Sequence, residues 1–337
     1  MLVFIGKSQM QWFYEAVINF ADYLGDALLA PLDDSSCLYW PFLLSSVVLA
    51  GVASIYWRSR GAEKSIYCRL AGLLDWKTWR HRSSLVDCKF YFLTAVIFPM
   101  ILGGLSLDHS SVLDWLNRIS DFTTAESSSL PSDSFMVRAA YTLVFYIAYD
   151  FGRFVSHSLL HEVPFLWEFH KVHHSAQVLT PITAFRFHPV DGIIRVSCQS
   201  ISTGCATWLF VNMAGVTVEL YFFMGLHALL WISSLAGNLC HSSVWITYGP
   251  TWGKWFISPA HHQIHHSVDE RHLGFNRGSD LAIWDRLYGT LYVPTGPREC
   301  FQYGLGASDN EAEHSIGKML LAPFINLWRI CGRRAKS

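Results

Sequence analysis

The stretch VRAAYTLVFYIAYDFGRFV (Val137–Val155) is apolar over about one bilayer crossing and runs directly into Ser156-His157-Ser-Leu-Leu-His161. An apolar run of about 20 residues is the mark of a membrane-spanning helix. Two histidines four apart, just beyond it, lie on one face of that helix if it continues past the lipid. A helix that leaves the bilayer and at once presents two imidazoles sets the expected class. It is an all-α integral membrane protein with a histidine-lined cap at one membrane face.

Outward from this segment, four others are apolar enough to cross or nearly cross: Leu38–Trp57, Phe90–Leu107, Ile193–Asn212 and Val216–Ala236. Four to five spanning helices are therefore expected. The linker between the first two holds Arg58, Arg60, Lys64, Arg69, Lys77, Arg80, Arg82 and Lys89. The next holds Asp108, Asp114, Asp121, Glu126 and Asp133, with Arg118 as its one cation. By the positive-inside rule residues 58–89 are cytoplasmic and 106–136 lie on the far side. The third span returns the chain to the cytoplasm near residue 157. The fourth and fifth make a hairpin around Ala214-Gly215, so 157–190 and 238–337 share the cytoplasmic face. Residues 9–30 and Met319–Ile330 are expected to be interfacial amphipathic helices, and Ser127–Ser134 a Ser/Pro loop.

Composition agrees with lipid. Only 15% of the 337 residues are charged and 51% are hydrophobic, against about a quarter charged in soluble domains. With 25 Lys+Arg against 26 Asp+Glu there is no basic excess for nucleic acid. Eight cysteines at wide, irregular spacing read as reduced thiols, not a disulfide framework or zinc ribbon. The apolar start Met1–Ile5 lacks a basic lead-in, and no cleaved signal peptide is expected. The chain divides into an N-terminal membrane or interfacial region (1–90), a histidine-bearing domain (91–300, core 137–295) and a tail (301–337).

Twelve of the sixteen histidines fall within 157–188 and 241–272, two windows that the topology places on one side independently of their content. His170-Lys-Val-His173-His174 and His262-Gln-Ile-His265-His266 repeat H-x2-H-H, and His241 lies just past the fifth segment. Nine imidazoles exceed what one ion needs and suit two ions with about four nitrogens each. Neutral imidazole serves iron, zinc, copper or nickel, so ligand type leaves the metal open. Glu162, Glu168, Asp191, Asp269, Asp280 and Asp285 are acids placed to orient imidazoles from behind. His188 and His272 stand between ligand, supporting and structural roles, and His261 is expected behind the ligands. His81, His109, His227 and His314 read as ordinary structural histidines. Asp150 and Arg153 either pair with each other or touch the site.

The three boxes, with Thr180-Pro181, Phe185-Arg186-Phe187-His188-Pro189, Ser258-Pro259, Asn276-Arg277-Gly278 and Ile283-Trp284-Asp285-Arg286-Leu287-Tyr288-Gly289-Thr290, resemble the fatty-acid hydroxylase / sterol desaturase family. The likeness covers about residues 137–295 and is nearest to bacterial sterol-desaturase-like and alkylglycerol-monooxygenase branches. It implies two iron ions, for which zinc can substitute, and O2-dependent hydroxylation or desaturation of a lipid. The hydroxylase reading comes from the branch resemblance. The ligands it implies are His157, His161, His170, His173, His174, His241, His262, His265 and His266. Where some members carry a further H-x3-H pair near His241, this chain has Gly237 and Trp245. Asn238, His188 or water is then left for the remaining position, with His261, His272 and Asp285 as supports. No fused electron donor is evident, since there is no His-Pro-Gly-Gly, Gly-x-Gly-x-x-Gly or Cys-rich cluster. The resemblance thus implies a separate ferredoxin or cytochrome b5-type donor on the basic face.

Rival classes fit less well. His161-Glu162 continues as Val-Pro-Phe, which breaks the His-Glu-x-x-His of a metalloprotease. A transporter would place ligands within its spans, and a structural zinc site does not need nine of them.

Overall fold

The computed structural model describes residues 7–34, 36–59, 75–119, 134–214, 219–223, 226–296, 302–306 and 315–334. Most of the Ser127–Ser134 loop, much of the basic linker, Gly215 and His314 lie outside them. The described helices are α1 (Lys7–Leu29), α2 (Trp40–Ser59), α3 (Arg82–Leu102, with a π turn at Leu93–Ile97) and α4 (His109–Ile119). They continue with α5 (Phe135–Glu162), α6 (Pro164–His174), α7 (Pro189–Ala214) and α8 (Ala228–Gly237). The last three are α9 (Pro259–His265), α10 (Ile283–Tyr288) and α11 (Ile316–Arg334). Among the described residues the one sheet is a two-residue antiparallel ribbon, Phe222–Phe223 with Leu226–His227.

The scaffold is the long antiparallel pair α5 and α7. At 28 and 26 residues they are about 42 and 39 Å long. Their backbones touch at Gly152, where a Cβ would sit 2.8 Å from the Gln199 Cα. Ser202 donates to the Ala148 carbonyl at 2.6 Å, and the Tyr141 and Thr207 hydroxyls meet at 2.9 Å. Such small and hydroxylated contacts are what drive helix pairing where burial of apolar surface gives no advantage.

Apolar side chains are found both inside the fold and across its outer faces. The outward faces of α2, α5 and α7 carry Val52, Ile55, Leu143, Ile147, Ile201 and Leu209, all exposed. Beside apolar residues such as Phe42, Phe90 and Leu160, fully buried positions are occupied by His170, His261, His272, Asp87, Asp150, Arg186, Asp191 and Asp285. A fold that turns hydrocarbon outward and ion pairs inward is matched to lipid around its helices.

The five expected spans are not all regular helices. Among the described residues α3 alone is both long and apolar enough to cross by itself, and the apolar part of α2 is the shorter Trp40–Tyr56. The segment expected at 216–236 differs most. It holds the short ribbon and the ten-residue α8, about 15 Å of helix, so it reaches only partway through a roughly 30 Å hydrocarbon layer. Its composition is right for a span, but Arg138 from α5 holds the backbone ahead of it extended, donating to the Glu219 and Leu220 carbonyls.

The boundary expected at residue 90 falls inside α3. The tail is also packed on the rest: Met319 of α11 lies against Val86 and Phe90 of α3 and Val172 of α6. The opposite face of α11 leaves Leu321, Phe324 and Trp328 exposed, the two-faced character expected of Met319–Ile330.

Candidate metal centre

Three helix ends converge on one point. The last two turns of α5 carry His157 and His161. Extended Val163 then reverses the chain, and Pro164 opens α6 at a position where a missing N–H costs nothing. This sets His170, His173 and His174 opposite the first pair. Pro259 likewise starts α9, beneath a reciprocal Ser258/His261 cap, and the helix presents His262, His265 and His266. His241 comes from the turn after α8.

The nine imidazoles named from the sequence come together, and they divide into two sets. His157, His161, His170, His174 and His265 form one; His173, His241, His262 and His266 form the other. Within each set the candidate ligand atoms all lie within 4.8 Å of one another. Each H-x2-H-H box is shared between them. The i, i+4 pair (His170/His174, or His262/His266) points to one set and the middle residue to the other, because positions three and four apart diverge around the helix.

The nitrogens approach as ligands do. His265 Nε2 is 3.1 Å from both His161 Nε2 and His174 Nε2. In the second set His241 Nε2 is 3.3 Å from His173 Nε2 and 3.0 Å from His262 Nε2, and His262 lies 3.2 Å from His266. Two nitrogens about 2.1 Å from one ion and at right angles are about 3 Å apart.

Tautomers make the case sharper. The Nδ1–H groups of His157, His265 and His173 donate to the carbonyls of Arg277 (2.8 Å), Phe275 (2.8 Å) and Arg186 (3.2 Å). The His170 Nδ1–H donates to Asp191 at 2.7 Å. Their Nε2 atoms are therefore bare lone pairs turned inward, and those of His157 and His170 are buried without a hydrogen-bond partner. An orphaned buried acceptor costs about 1–3 kcal/mol, and several lone pairs aimed at one point repel. A divalent cation at each point removes both penalties, so the donor sets fit two metal ions.

Electrostatics keep the imidazoles in the ligating, neutral form. Burial, followed by the neighbouring imidazoles, holds His157, His161, His173, His174, His262 and His266 far below the usual histidine range. Burial brings His265 and His241 down to about 3. Asp191 is the carboxylate that touches a cluster imidazole. Burial raises its pKa, but Arg195 and His170 outweigh that and hold it at about 2.

The supporting residues fall in unequal roles. Asp285 accepts from the Arg277 and Gly278 amides at 2.8 and 2.7 Å and from the Thr290 hydroxyl at 2.6 Å. It thereby fixes the turn whose Arg277 carbonyl orients His157. The turn has no room for a side chain at Gly278, where a Cβ would sit 2.8 Å from Asp285 Oδ2. His261 is a cap rather than a ligand: its Nδ1 accepts from the Ser258 amide and its Nε2–H donates to the Gly253 carbonyl, both at 3.1 Å. His188 accepts from the Val190 amide and donates to the Leu320 carbonyl, tying α7 to α11. His272 meets the Ser267 hydroxyl at 3.1 Å and packs on Tyr292. Asn238 donates to the Cys37 carbonyl at 2.8 Å, facing α2. None of these five joins either set.

Other expectations change in detail. Asp150 and Arg153 do not pair with each other. Asp150 accepts from the Asp280 and Leu281 amides and the Trp284 indole, and Arg153 pairs with Asp280. Both anchor the 280 loop. Of the other acids, Glu162 pairs with Arg277, Glu168 with Lys171 and Asp269 with Arg271.

Sequence reasoning misses the orienting carbonyls, which carry no residue signature. It also misses buried Arg186, which spans Asp87 Oδ1 (3.1 Å), Ser83 Oγ (2.9 Å) and Ser175 Oγ (2.8 Å). Asn276, at φ 56°, takes the Tyr292 amide on its side chain and donates to the His261 carbonyl. The signal for it was its place in Asn-Arg-Gly, since Asn tolerates the left-handed region.

Known proteins are similar to part of this chain. An ornithine lipid hydroxylase of Rhizobium tropici is 30% identical over 148 residues, 44% of this chain and 40% of that protein. An alkylglycerol monooxygenase of Danio rerio is 24% identical over 226 residues, 60% of this chain and 46% of the relative. A Delta(7)-sterol 5(6)-desaturase of Gibberella zeae is 33% identical over 154 residues, 45% and 42% of the two chains. This chain thus spans less than half the length of each of these relatives. No solved structure matches. Residues 142–290 match the fatty acid hydroxylase family model, and all nine clustered histidines, with the three boxes, fall inside that stretch.

Proposed function

We propose that this protein is a membrane di-iron oxygenase that hydroxylates a C–H bond in a lipid, with the nine clustered histidines as its metal ligands. The reading rests chiefly on one observation, the two all-histidine sets whose candidate ligand atoms converge, with the Nε2 atoms of His157 and His170 buried and unpartnered in the first. When bound, two redox-active ions supply the activation of O2. Hydroxylation places one oxygen atom in the C–H bond and reduces the other to water, consuming two electrons and two protons from outside. A separate ferredoxin or cytochrome b5-type donor provides the electrons at the basic face.

The chain's own residues bind, orient and exclude water. Asp191 and the carbonyls of Arg186, Phe275 and Arg277 hold the proton on Nδ1 and aim Nε2 inward. Such partners raise ligand basicity and fix ring orientation. Burial of the histidines keeps bulk water from the site. The site lies on the cytoplasmic face by the distribution of Lys and Arg. Lipid as the substrate follows from the relatives, whose names cite ornithine lipid, alkylglycerol and sterol. Desaturation on the same centre is the second reading, favoured by the 33% identity to a sterol desaturase.

The test is a metal count on protein from iron-supplemented cells. About two irons per chain are expected. His265→Ala should deplete the first set, His173→Ala the second, and the double variant both. No metal in a folded intact chain, or one ion insensitive to these changes, sinks the di-iron reading. Zinc in place of iron on ordinary expression leaves the count unchanged.

A further inference from the structure

Besides the metal centre, a cavity beside His241 and the start of α9 combines apolar walls with closeness to the ligands. It is a cleft of about 250 Å³ between α5 and α8, floored by the segment that leads into α9. Its lining includes Tyr146, Leu229, Gly237, Cys240 and Pro259. Cys240 immediately precedes His241, and Pro259 opens the helix that carries His262 and His265. Of the polar lining groups, Asp280 is held by Arg153 at 3.1 Å and by the Tyr146 hydroxyl. The walls are mainly hydrocarbon, from Leu229, Ile257 and Pro259 among others. Ile147, one residue along α5 from Tyr146, is exposed on the apolar outer surface.

We propose that this cleft holds one alkyl chain of a membrane lipid, with Gly237 setting its width, and so delivers the chain to the His241 side of the centre. The delivery step rests on the oxygenase reading above; occupation of the cleft does not. Its volume is below the roughly 300–1,000 Å³ typical of sites that enclose compact drug-sized ligands. A flexible single chain fits that space better than a fused-ring sterol. Gly237 is the point at which the cleft can be closed cleanly, since a Cβ added there meets nothing within 4 Å.

The test uses the full chain in phosphatidylcholine vesicles doped with a hexadecyl-chain lipid bearing a photoactivatable diazirine, or with a diazirine sterol. Adducts are mapped by mass spectrometry and metal is counted on the same samples. The alkyl probe should label Tyr146, Cys240 and Tyr248, and Gly237→Trp should abolish that labelling. Leu229→Trp, also in the lining, should do the same and serves if Gly237→Trp does not fold. Gly51→Trp on α2, where a Cβ also meets nothing, should leave labelling intact. Labelling restricted to the outer faces, labelling insensitive to Gly237→Trp and Leu229→Trp, or preferential labelling by the sterol each overturns the proposal. Cleft labelling without bound metal would instead count against the oxygenase reading while leaving alkyl occupancy standing.

Discussion

Replacing Asp191 by Asn removes the charge behind His170 while changing almost nothing in shape. Asp191 is fully buried and accepts from His170 Nδ1 at 2.7 Å, with Arg195 closing its other side. Its pKa falls from 3.8 to about 2 despite burial, because Arg195 and His170 favour the anion. A depression of nearly two units corresponds to about 2 kcal/mol of extra stabilisation of the charged form. Because the folded-state pKa is the lower one, this stability is present above pH 4 and is lost as the pH falls towards 2. Asp191→Asn should therefore cost about 2 kcal/mol at neutral pH, read as a lower melting temperature in detergent. The metal effect is more diagnostic. If the amide turns its NH2 towards His170 Nδ1, the imidazole proton moves to Nε2 and the ligand lone pair is lost. Loss of such a supporting group typically weakens metal binding by about 10- to 100-fold. Titration against a competing chelator should show this loss at the first set, with the second set retained. An Asp191→Asn protein that keeps its affinity for both ions would refute the claim that Asp191 governs the His170 tautomer.

Other outcomes follow from the same geometry. In metal-free protein, burial holds His241 and His265 at about 3 and His261 at about 4. Their folded pKa values lie below the unfolded 6.5, so stability is full above that pH and falls as the pH drops towards 4. These three groups alone give a slope of at least about 4 kcal/mol per pH unit, to which the other buried imidazoles add; a flat unfolding profile from pH 6.5 to 4.5 would show that these sites are solvated. Arg186→Leu leaves Asp87 buried without its cation and should cost about 3–5 kcal/mol, measured by thermal unfolding, with a smaller loss in the double variant Arg186→Leu/Asp87→Leu. Gly152→Val drives a side chain into the Gln199 backbone and should cost at least about 1–3 kcal/mol; a variant as stable as the parent would contradict the close α5–α7 contact.

Much of the histidine cluster was legible in the sequence because the spacing within each box is local. His157/His161, His170/His173/His174 and His262/His265/His266 have helical spacing, and helices formed at all three places. The segment expected as the fifth span is not a continuous helix over its described residues, because hydropathy counts residues whereas a spanning helix needs continuous hydrogen bonding. There α5 supplies partners to the backbone, such as Thr142 Oγ1, which accepts from the Tyr221 amide at 3.0 Å, and residues 219–223 are not helical. Asp150 was ambiguous because its partners, the Asp280 and Leu281 amides, lie some 130 residues away.

By itself the sequence determined the helical class, the outward hydrocarbon, and which nine imidazoles gather, since these depend on residue type and on spacing of a few residues. Only the tertiary structure decided how the nine divide, which nitrogen each turns inward, and that Asp191 is the acid in contact with the cluster. Those properties depend on the relative rotation of three helices and on backbone carbonyls at Arg186, Phe275 and Arg277. Every residue has a carbonyl, so no residue name reveals which ones will face a histidine.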